Sequence, residues 1–278
     1  MKRDLEMMMP ATAGVRPMRQ GAAVLTAQGV EKTYPNGTHA LDRAEVTIRK
    51  GEFVSLLGPS GCGKSTLLKM FAGLEQPSSG QILRAGDSAR TDGRDMAMVF
   101  QEATLMPWAR VTDNVRLPLD LAGVPRAQSQ PRILEALDLV GLSQFCHCYP
   151  RELSGGMQMR ASIARALAVR PSVLLMDEPF GALDEFTRNR LDTDLHRLWE
   201  AQGFTVVFVT HSIYEAVFLS SRVVVMAARP GRVIADVAID GPRERGDDFR
   251  VSQPFIEYCR VLSDHLARAN RGEREAIA

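Results

Sequence analysis

Gly58-Pro59-Ser60-Gly61-Cys62-Gly63-Lys64-Ser65-Thr66 follows a short, nearly all-apolar run, Phe53 to Leu57, and opens an apolar-periodic stretch that ends near Gly73. The first eight of these residues fit G-x-x-x-x-G-K-[ST], and a strand before with a helix after is the context that gives this pattern its meaning. The glycines let the backbone wrap a phosphate with its N–H groups turned inward. The helix N-terminus behind them adds charge that favours an anion. Lys64 is then expected to reach the β and γ phosphates of a nucleotide, and Ser65 to hold Mg²⁺.

Outward from this loop the chain reads as alternating strands and helices. Strands are expected from Val24 onward, over Ala44 to Ile48, and over Phe53 to Leu57, with an Asn-Gly turn signal at Asn36-Gly37. Val173 to Met176, Thr205 to Val209 and Val223 to Met226 are apolar runs of strand length, as buried parallel strands should be. Ile133 to Val140 keeps helical spacing with Gly141 as a stop, and Asp184 to Gln202 is an amphipathic helix ended by Gly203. Arg229-Pro230-Gly231-Arg232 carries the signal of a type II turn and suggests a hairpin. The pattern predicts an α/β fold with a parallel-sheet core, a small antiparallel β subdomain and an inserted helical subdomain over about 102–165. Residues 1–22 read as a flexible tail and 241–278 as an extension that is helical in part, over 254–269. Between them, 23–240 forms one domain.

Asp177 and Glu178 end the buried run Val173-Leu174-Leu175-Met176. Ligands of open α/β sheets bind outside the carboxyl ends of strands, so two carboxylates here are well placed. Asp177 is expected to bind Mg²⁺, directly or through water, and Glu178 to polarise an attacking water. Two adjacent carboxylates repel unless a cation sits nearby, which Mg²⁺ supplies. One helix upstream, Leu153-Ser154-Gly155-Gly156-Met157 opens the stretch Gln158 to Val169. Ser154 can cap that helix, and the glycines permit close approach of an anion to backbone N–H groups.

With these motifs in this order, the chain resembles the ATP-binding subunits of ABC transporters over about residues 24 to 240. The family pattern LSGGQ stands here as LSGGM. Gln101 in VFQE matches the Q-loop, Ala182-Leu183-Asp184 the D-loop, and His211 in VTHS the switch histidine. Tyr34 matches the aromatic that stacks on adenine, although packing in the early sheet is its plainer alternative. Ser212 departs from the aspartate usual after the histidine. The resemblance implies a P-loop NTPase fold, ATP and Mg²⁺ as ligands, and a head-to-tail dimer with a second copy. Each ATP would sit between the phosphate loop of one subunit and Ser154, Gly155 and Gly156 of the other. It implies catalysis by Glu178, His211 and Lys64. Nucleotide contacts would come from Tyr34, residues 58–66, Gln101 and Asp184, and Mg²⁺ contacts from Ser65, Gln101 and Asp177.

Glu102-Ala-Thr-Leu-Met-Pro107-Trp108, Phe180 to Asp184, and Ala228 to Arg232 look like the runs of ATPases serving nitrate, sulfonate and taurine importers. That likeness implies transmembrane permease subunits as partners, an extracytoplasmic solute-binding protein as an indirect one, and a place on the cytoplasmic face of the membrane. Leu105 and Trp108 are candidates for the groove that receives a permease helix, or else core residues. The bulk numbers agree. A chain of 278 residues with 45% hydrophobic and 24% charged residues can bury a core without disulfides. A net charge of +1 gives no electrostatic case for nucleic acid. Asp4 and Glu6 interrupt the start of the chain, so no secretory signal is read there. Cys146 and Cys148 flank His147 at a spacing too short for the usual metal pair. A soluble ABC ATPase of DNA repair or translation, a nucleotide kinase and an exporter ATPase are the rival readings. Of these, the single motif set without heptads and the segment after Gln101 favour the importer.

Overall fold

The computed structural model describes residues 21–85 and 95–277, with side chains to residue 269. Of the expected tail at residues 1–22, residues 1–20 lie outside them, and Ala22 O accepts from Lys50 N at 2.9 Å. Two sheets organise the rest. Strands β1 (Ala23–Thr33), β2 (His39–Arg49) and β4 (Ser79–Arg84) form an antiparallel sheet in the order β2-β1-β4. The turn at Asn36-Gly37 joins β1 to β2, with Gly37 N donating to Tyr34 O. The second sheet is six-stranded, in the order β5-β6-β7-β3-β8-β9. It comprises β3 (Phe53–Leu57), β5 (Met96–Val99), β6 (Val173–Asp177), β7 (Thr205–Thr210), β8 (Arg222–Ala227) and β9 (Arg232–Ala238). Its first five strands in that order are parallel, and β9 runs antiparallel to β8.

Strand β3 shows why the central runs are apolar throughout. Successive side chains point to opposite faces, and both faces are covered. Phe53 and Leu57 join a core under helices α5 (Glu185–Gln202), α6 (Ile213–Leu219) and α8 (Gln253–Ile277). Val54 and Leu56 join a second core shared with α1 (Lys64–Ala72) and the antiparallel sheet. On the first face Phe53 meets Trp199 edge-on at 5.6 Å, and Phe180 meets Phe208 at 5.8 Å. Such ring pairs add to the gain from area burial alone.

Between β5 and β6 the chain makes α2 (Val111–Leu121), α3 (Arg126–Leu139) and α4 (Gly155–Leu167), the expected helical insertion. Gly141 is left-handed just past α3, and Gly203 ends α5 in the same way. The last helix, expected over 254–269, is longer at both ends. Phe249 of the short helix α7 (Asp247–Arg250), with Phe255 and Leu262 of α8, fixes the C-terminal segment to the core.

One local reading is corrected. β8 and β9 do form a hairpin, but not through a type II turn. The Arg229-Pro230 bond is cis, and Gly231 lies outside the left-handed region that position requires. Its glycine has another reason. A Cβ there would stand 2.3 Å from Cys62 O and 2.6 Å from Ala40 O. The turn thus packs against the backbone of the phosphate loop.

The segment after β5 is held by Asn114 of α2. This side chain is fully buried, accepts from Met106 N at 2.7 Å, and donates to the carbonyls of Met106, Ala109 and Arg110. Orphaning a buried polar group costs about 1–3 kcal/mol. Asn114→Ala should therefore lower unfolding stability by about 3 kcal/mol in a denaturant titration. A change under about 0.5 kcal/mol would mean that residues 106–110 are held by something else.

Candidate nucleotide site

The sheet brings the motifs together at one end of its parallel strands. β3 ends in the phosphate loop, β6 in Asp177 and Glu178, and β7 in His211. Gly61 and Gly63 are left-handed, with φ of 79° and 84°, which lets the loop curl back before α1 begins. Gly63 is the N-cap of α1 and no side chain caps it, so the loop backbone faces first-turn amides that need an acceptor. Lys64 is 3% exposed, and its Nζ donates to Gly58 O at 2.8 Å and Pro59 O at 2.9 Å. Cys62 is fully buried in the core beneath the loop, and its N–H donates to Pro59 O at 3.4 Å. Pro59 is half-buried and Ser60 is exposed. Tyr34 Oη lies 3.4 Å from Thr66 Oγ1, which places the ring at the loop's edge, with Lys32 Nζ 5.2 Å from its centroid.

Ser65 Oγ donates to Asp177 Oδ1 at 2.6 Å. Burial pushes the Asp177 carboxyl up, Ser65 pulls it down, and the neighbouring Glu178 carboxylate pushes it up again. A hydroxyl beside a carboxylate is an oxygen donor set suited to a hard cation. Among the described residues no cluster of three or more His, Cys, Asp or Glu is arranged for a metal. An ion at Ser65 and Asp177 would take its remaining oxygens from water and a bound phosphate. The pair fits Mg²⁺ carried with a nucleotide.

Glu178 stands just beyond β6 with φ of 44°, left-handed for a residue with a Cβ. Such a backbone costs about 1–3 kcal/mol and persists only where the surroundings hold it. Here Glu178 N donates to Val209 O at 3.0 Å, and buried Phe180 anchors the following turn. The carboxylate has Lys64 Nζ at 3.8 Å from Oε1 and His211 Nδ1 at 2.9 Å from Oε2. Gln101 lies across from it. A Cβ on Gly181 would be 3.7 Å from Gln101 Nε2 and 3.8 Å from Glu178 Oε2. Ser212 proves to be the N-cap of α6, accepting from Glu215 N at 3.3 Å, a task an aspartate would also perform.

Ser154, Gly155 and Gly156 form a second group, at the start of α4. Ser154 caps α4 by accepting from Met157 N at 3.3 Å. Ser154 and Gly155 are exposed. Gly156 is buried, and a Cβ there would stand 2.7 Å from Thr187 Cγ2, so close packing of α4 on α5 requires it. Asp184 caps α5 through Thr187 N at 3.0 Å, and that amide holds its carboxyl below the usual range.

Trp108 is 77% exposed, whereas Leu105 packs against the core. The two readings held open for them therefore divide: Trp108 is a surface residue and Leu105 a core-attached one. Arg165 of α4 donates to Ala103 O, Thr104 O and Thr104 Oγ1, tying the segment after Gln101 to the helix that begins at Ser154. The carbonyls of Cys146 and Cys148 accept from Thr112 N and Val111 N and fasten their loop to α2. Asn114 and Arg165 escaped the sequence reading, because a lone polar residue in a helix carries no signal of its burial.

A phosphate loop after a central strand, with two carboxylates on the next strand but one, defines a P-loop nucleotide-binding protein. The chain belongs to the ABC transporter family, whose model matches residues 41–181. It is 48% identical to the taurine import ATP-binding protein TauB of Rhizobium johnstonii, over 81% of this chain and 87% of that one. It is 42% identical to the nitrate import ATP-binding protein NrtD of Synechocystis, over 86% and 92%. Among solved structures it is similar to cbiO1 of Clostridium perfringens, part of the ABC transporter complex cbiONQ. That match has a TM-score of 0.71 and 30% identity, and covers 78% of this chain and 88% of that one. A dimeric ATP-binding cassette bound to ADP and Pi gives a TM-score of 0.68 at 35% identity, over 78% and 100%.

Proposed function

We propose that this chain binds and hydrolyses ATP to energise an ABC importer from the cytoplasmic face of the membrane, for a small anion such as nitrate, a sulfonate or taurine. The observation that carries the hydrolytic part is the setting of Glu178, with His211 at 2.9 Å and Lys64 at 3.8 Å beside the Ser65–Asp177 pair. In this reading, loop amides and Lys64 hold the phosphates. Glu178 takes the proton of the attacking water, and His211 fixes its carboxylate. Mg²⁺, when bound through Ser65, Asp177 and Gln101, neutralises phosphate charge. Two copies close head to tail, each bringing Ser154, Gly155, Gly156 and Asp184 to the other's nucleotide, and closure excludes water. The relatives named for taurine and nitrate import support the direction of transport and the solute class. No helix among the described residues is long and apolar enough to cross a membrane. In this reading permease subunits supply the pathway and an extracytoplasmic protein delivers the solute.

Exposed Trp108, on the segment held by Asn114 and Arg165, is the surface offered to the permease. Large aromatics of this kind are frequent interface anchors. The test is affinity purification of the full-length chain from its own membranes with Mg-ATP. The wild type should bring down a polytopic permease. Trp108→Ala should lose it while keeping ATP hydrolysis within about twofold, since an anchor typically carries about 2 kcal/mol or more of binding. Recovery of only soluble proteins or nucleic acid would favour the soluble ABC ATPase instead.

A further inference from the structure

Glu178 lies between two loops. Residues 181–184 follow it in the chain, and residues 211–212 leave the neighbouring strand β7. One ion pair braces both from behind. Arg188, in the first turn of α5, donates from Nη2 to Leu183 O at 2.8 Å. Its Nε is 3.8 Å from Glu215 Oε1 on α6. Glu215 is 6% exposed, and its other oxygen accepts from the Thr210 hydroxyl. That hydroxyl oxygen accepts in turn from Ser212 N at 2.9 Å. His211 then returns the path to Glu178 Oε2. On the opposite side Gly181 N donates to Glu178 O, and Leu183 N to Phe180 O, both at 3.1 Å. The contacts form a closed circuit around the carboxylate.

The pair is a poor device for stability. Arg188 Nε and Glu215 Oε1 are buried without a hydrogen-bond partner and meet only by charge. Burial pushes the Glu215 carboxyl up, against the pull of Thr210 and Arg188. Nearby, Asp192 is pushed up to about 8 by burial and by Glu215, despite Arg250 at 3.4 Å. Buried ion pairs of this kind often contribute less than an apolar replacement would. What Arg188 and Glu215 supply is direction: a planar guanidinium fixes a carbonyl and a carboxylate at once.

We propose that Arg188, Glu215 and Thr210 are positioning residues for the reaction at Glu178. They lock the loop carrying Asp184 to the loop carrying His211, so that movement of either is transmitted to the other. In a head-to-tail dimer, the partner's contact at Asp184 would then be felt at His211. The proposal rests on the roles given above to Glu178, His211 and Asp184.

Hydrogen–deuterium exchange and steady-state ATP hydrolysis, measured together on the full-length chain, test it. Thr210→Val keeps the side-chain shape and removes the hydroxyl. Amides of residues 181–187 should then exchange about tenfold faster, although the altered side chain is bonded to Glu215 and Ser212 rather than to them. The kcat should fall about tenfold or more, with KM for ATP moving less than about twofold. Thr210→Ser should restore both readouts. Arg188→Gln should loosen residues 211–216 from the other end, and serves if Thr210→Val folds poorly. Unchanged exchange in the remote loop overturns the link, whatever the ATPase rate. Faster exchange with unchanged kcat overturns the positioning role and leaves the ATPase standing. A wild type that hydrolyses no ATP sinks the functional reading and with it the positioning role, while the exchange data still decide whether the loops are linked.

Discussion

Lys64→Ala is expected to lower kcat/KM for ATP by about 10²–10³-fold, the usual loss when one preorganised donor is removed from a charge-stabilising site. Lys64 is 3% exposed and its ammonium is held by Gly58 O and Pro59 O, 3.8 Å from Glu178. It is thus a cation fixed before any phosphate arrives, in surroundings where charge is poorly screened. The truncation removes that charge and orphans two loop carbonyls, at about 1–3 kcal/mol each if they stay dry. The fold should survive, because the cores on both faces of the sheet do not involve Nζ. Ligand-induced stabilisation separates binding from folding. At a concentration of 100 Kd, Mg-ATP should stabilise the wild type by about 2.7 kcal/mol. Most of that shift should vanish in Lys64→Ala. Lys64→Arg should not restore it, since a planar fork does not fit a pocket shaped around a compact ammonium. An undiminished thermal shift in Lys64→Ala would remove Lys64 from the nucleotide site.

The parts of this molecule that were legible in the sequence are those whose chemistry is local. The phosphate loop announces itself because glycines, lysine and hydroxyl all act within nine residues. The central strands announce themselves because both faces are covered, and the ends of α3 and α5 because Gly141 and Gly203 must be left-handed. The site's geometry is a different matter. His211 meets Glu178 across 33 residues of chain, and only a family pattern, not periodicity, pointed to His211. Gly156 reads as a place for an anion to approach, yet what presses on it is Thr187 from another helix. Pro230-Gly231 reads as a type II turn, yet contacts with Ala40 and Cys62 decide that glycine. Asn114, Arg165, Arg188 and Glu215 look like any polar residues of amphipathic helices. Their importance lies in which backbone atoms the fold places beside them, and no local pattern encodes that.

Glu178→Gln should leave ATP affinity within about threefold of wild type and lower kcat by about 10²–10⁴-fold, the range supplied by a positioned general base. The substitution is nearly isosteric. The amide can occupy the same left-handed position after β6, keep its N–H on Val209 O, and still offer an oxygen to His211. What it cannot do is take a proton from water. In the proposed reading nucleotide binding rests on other atoms, namely the loop amides, Lys64 and the Ser65–Asp177 pair. The two halves of the cycle should therefore come apart. If ATP holds two copies together and hydrolysis releases them, the variant with Mg-ATP should accumulate as a dimer on a sizing column, while the wild type returns to monomer as ATP is consumed. His211→Ala gives the complementary case. It leaves the base but removes the contact at 2.9 Å, so hydrolysis should fall by a smaller factor than in Glu178→Gln. Hydrolysis by Glu178→Gln at the wild-type rate would mean that the proton leaves by another route. The neighbouring carboxylate, Asp177, would then be the next to replace.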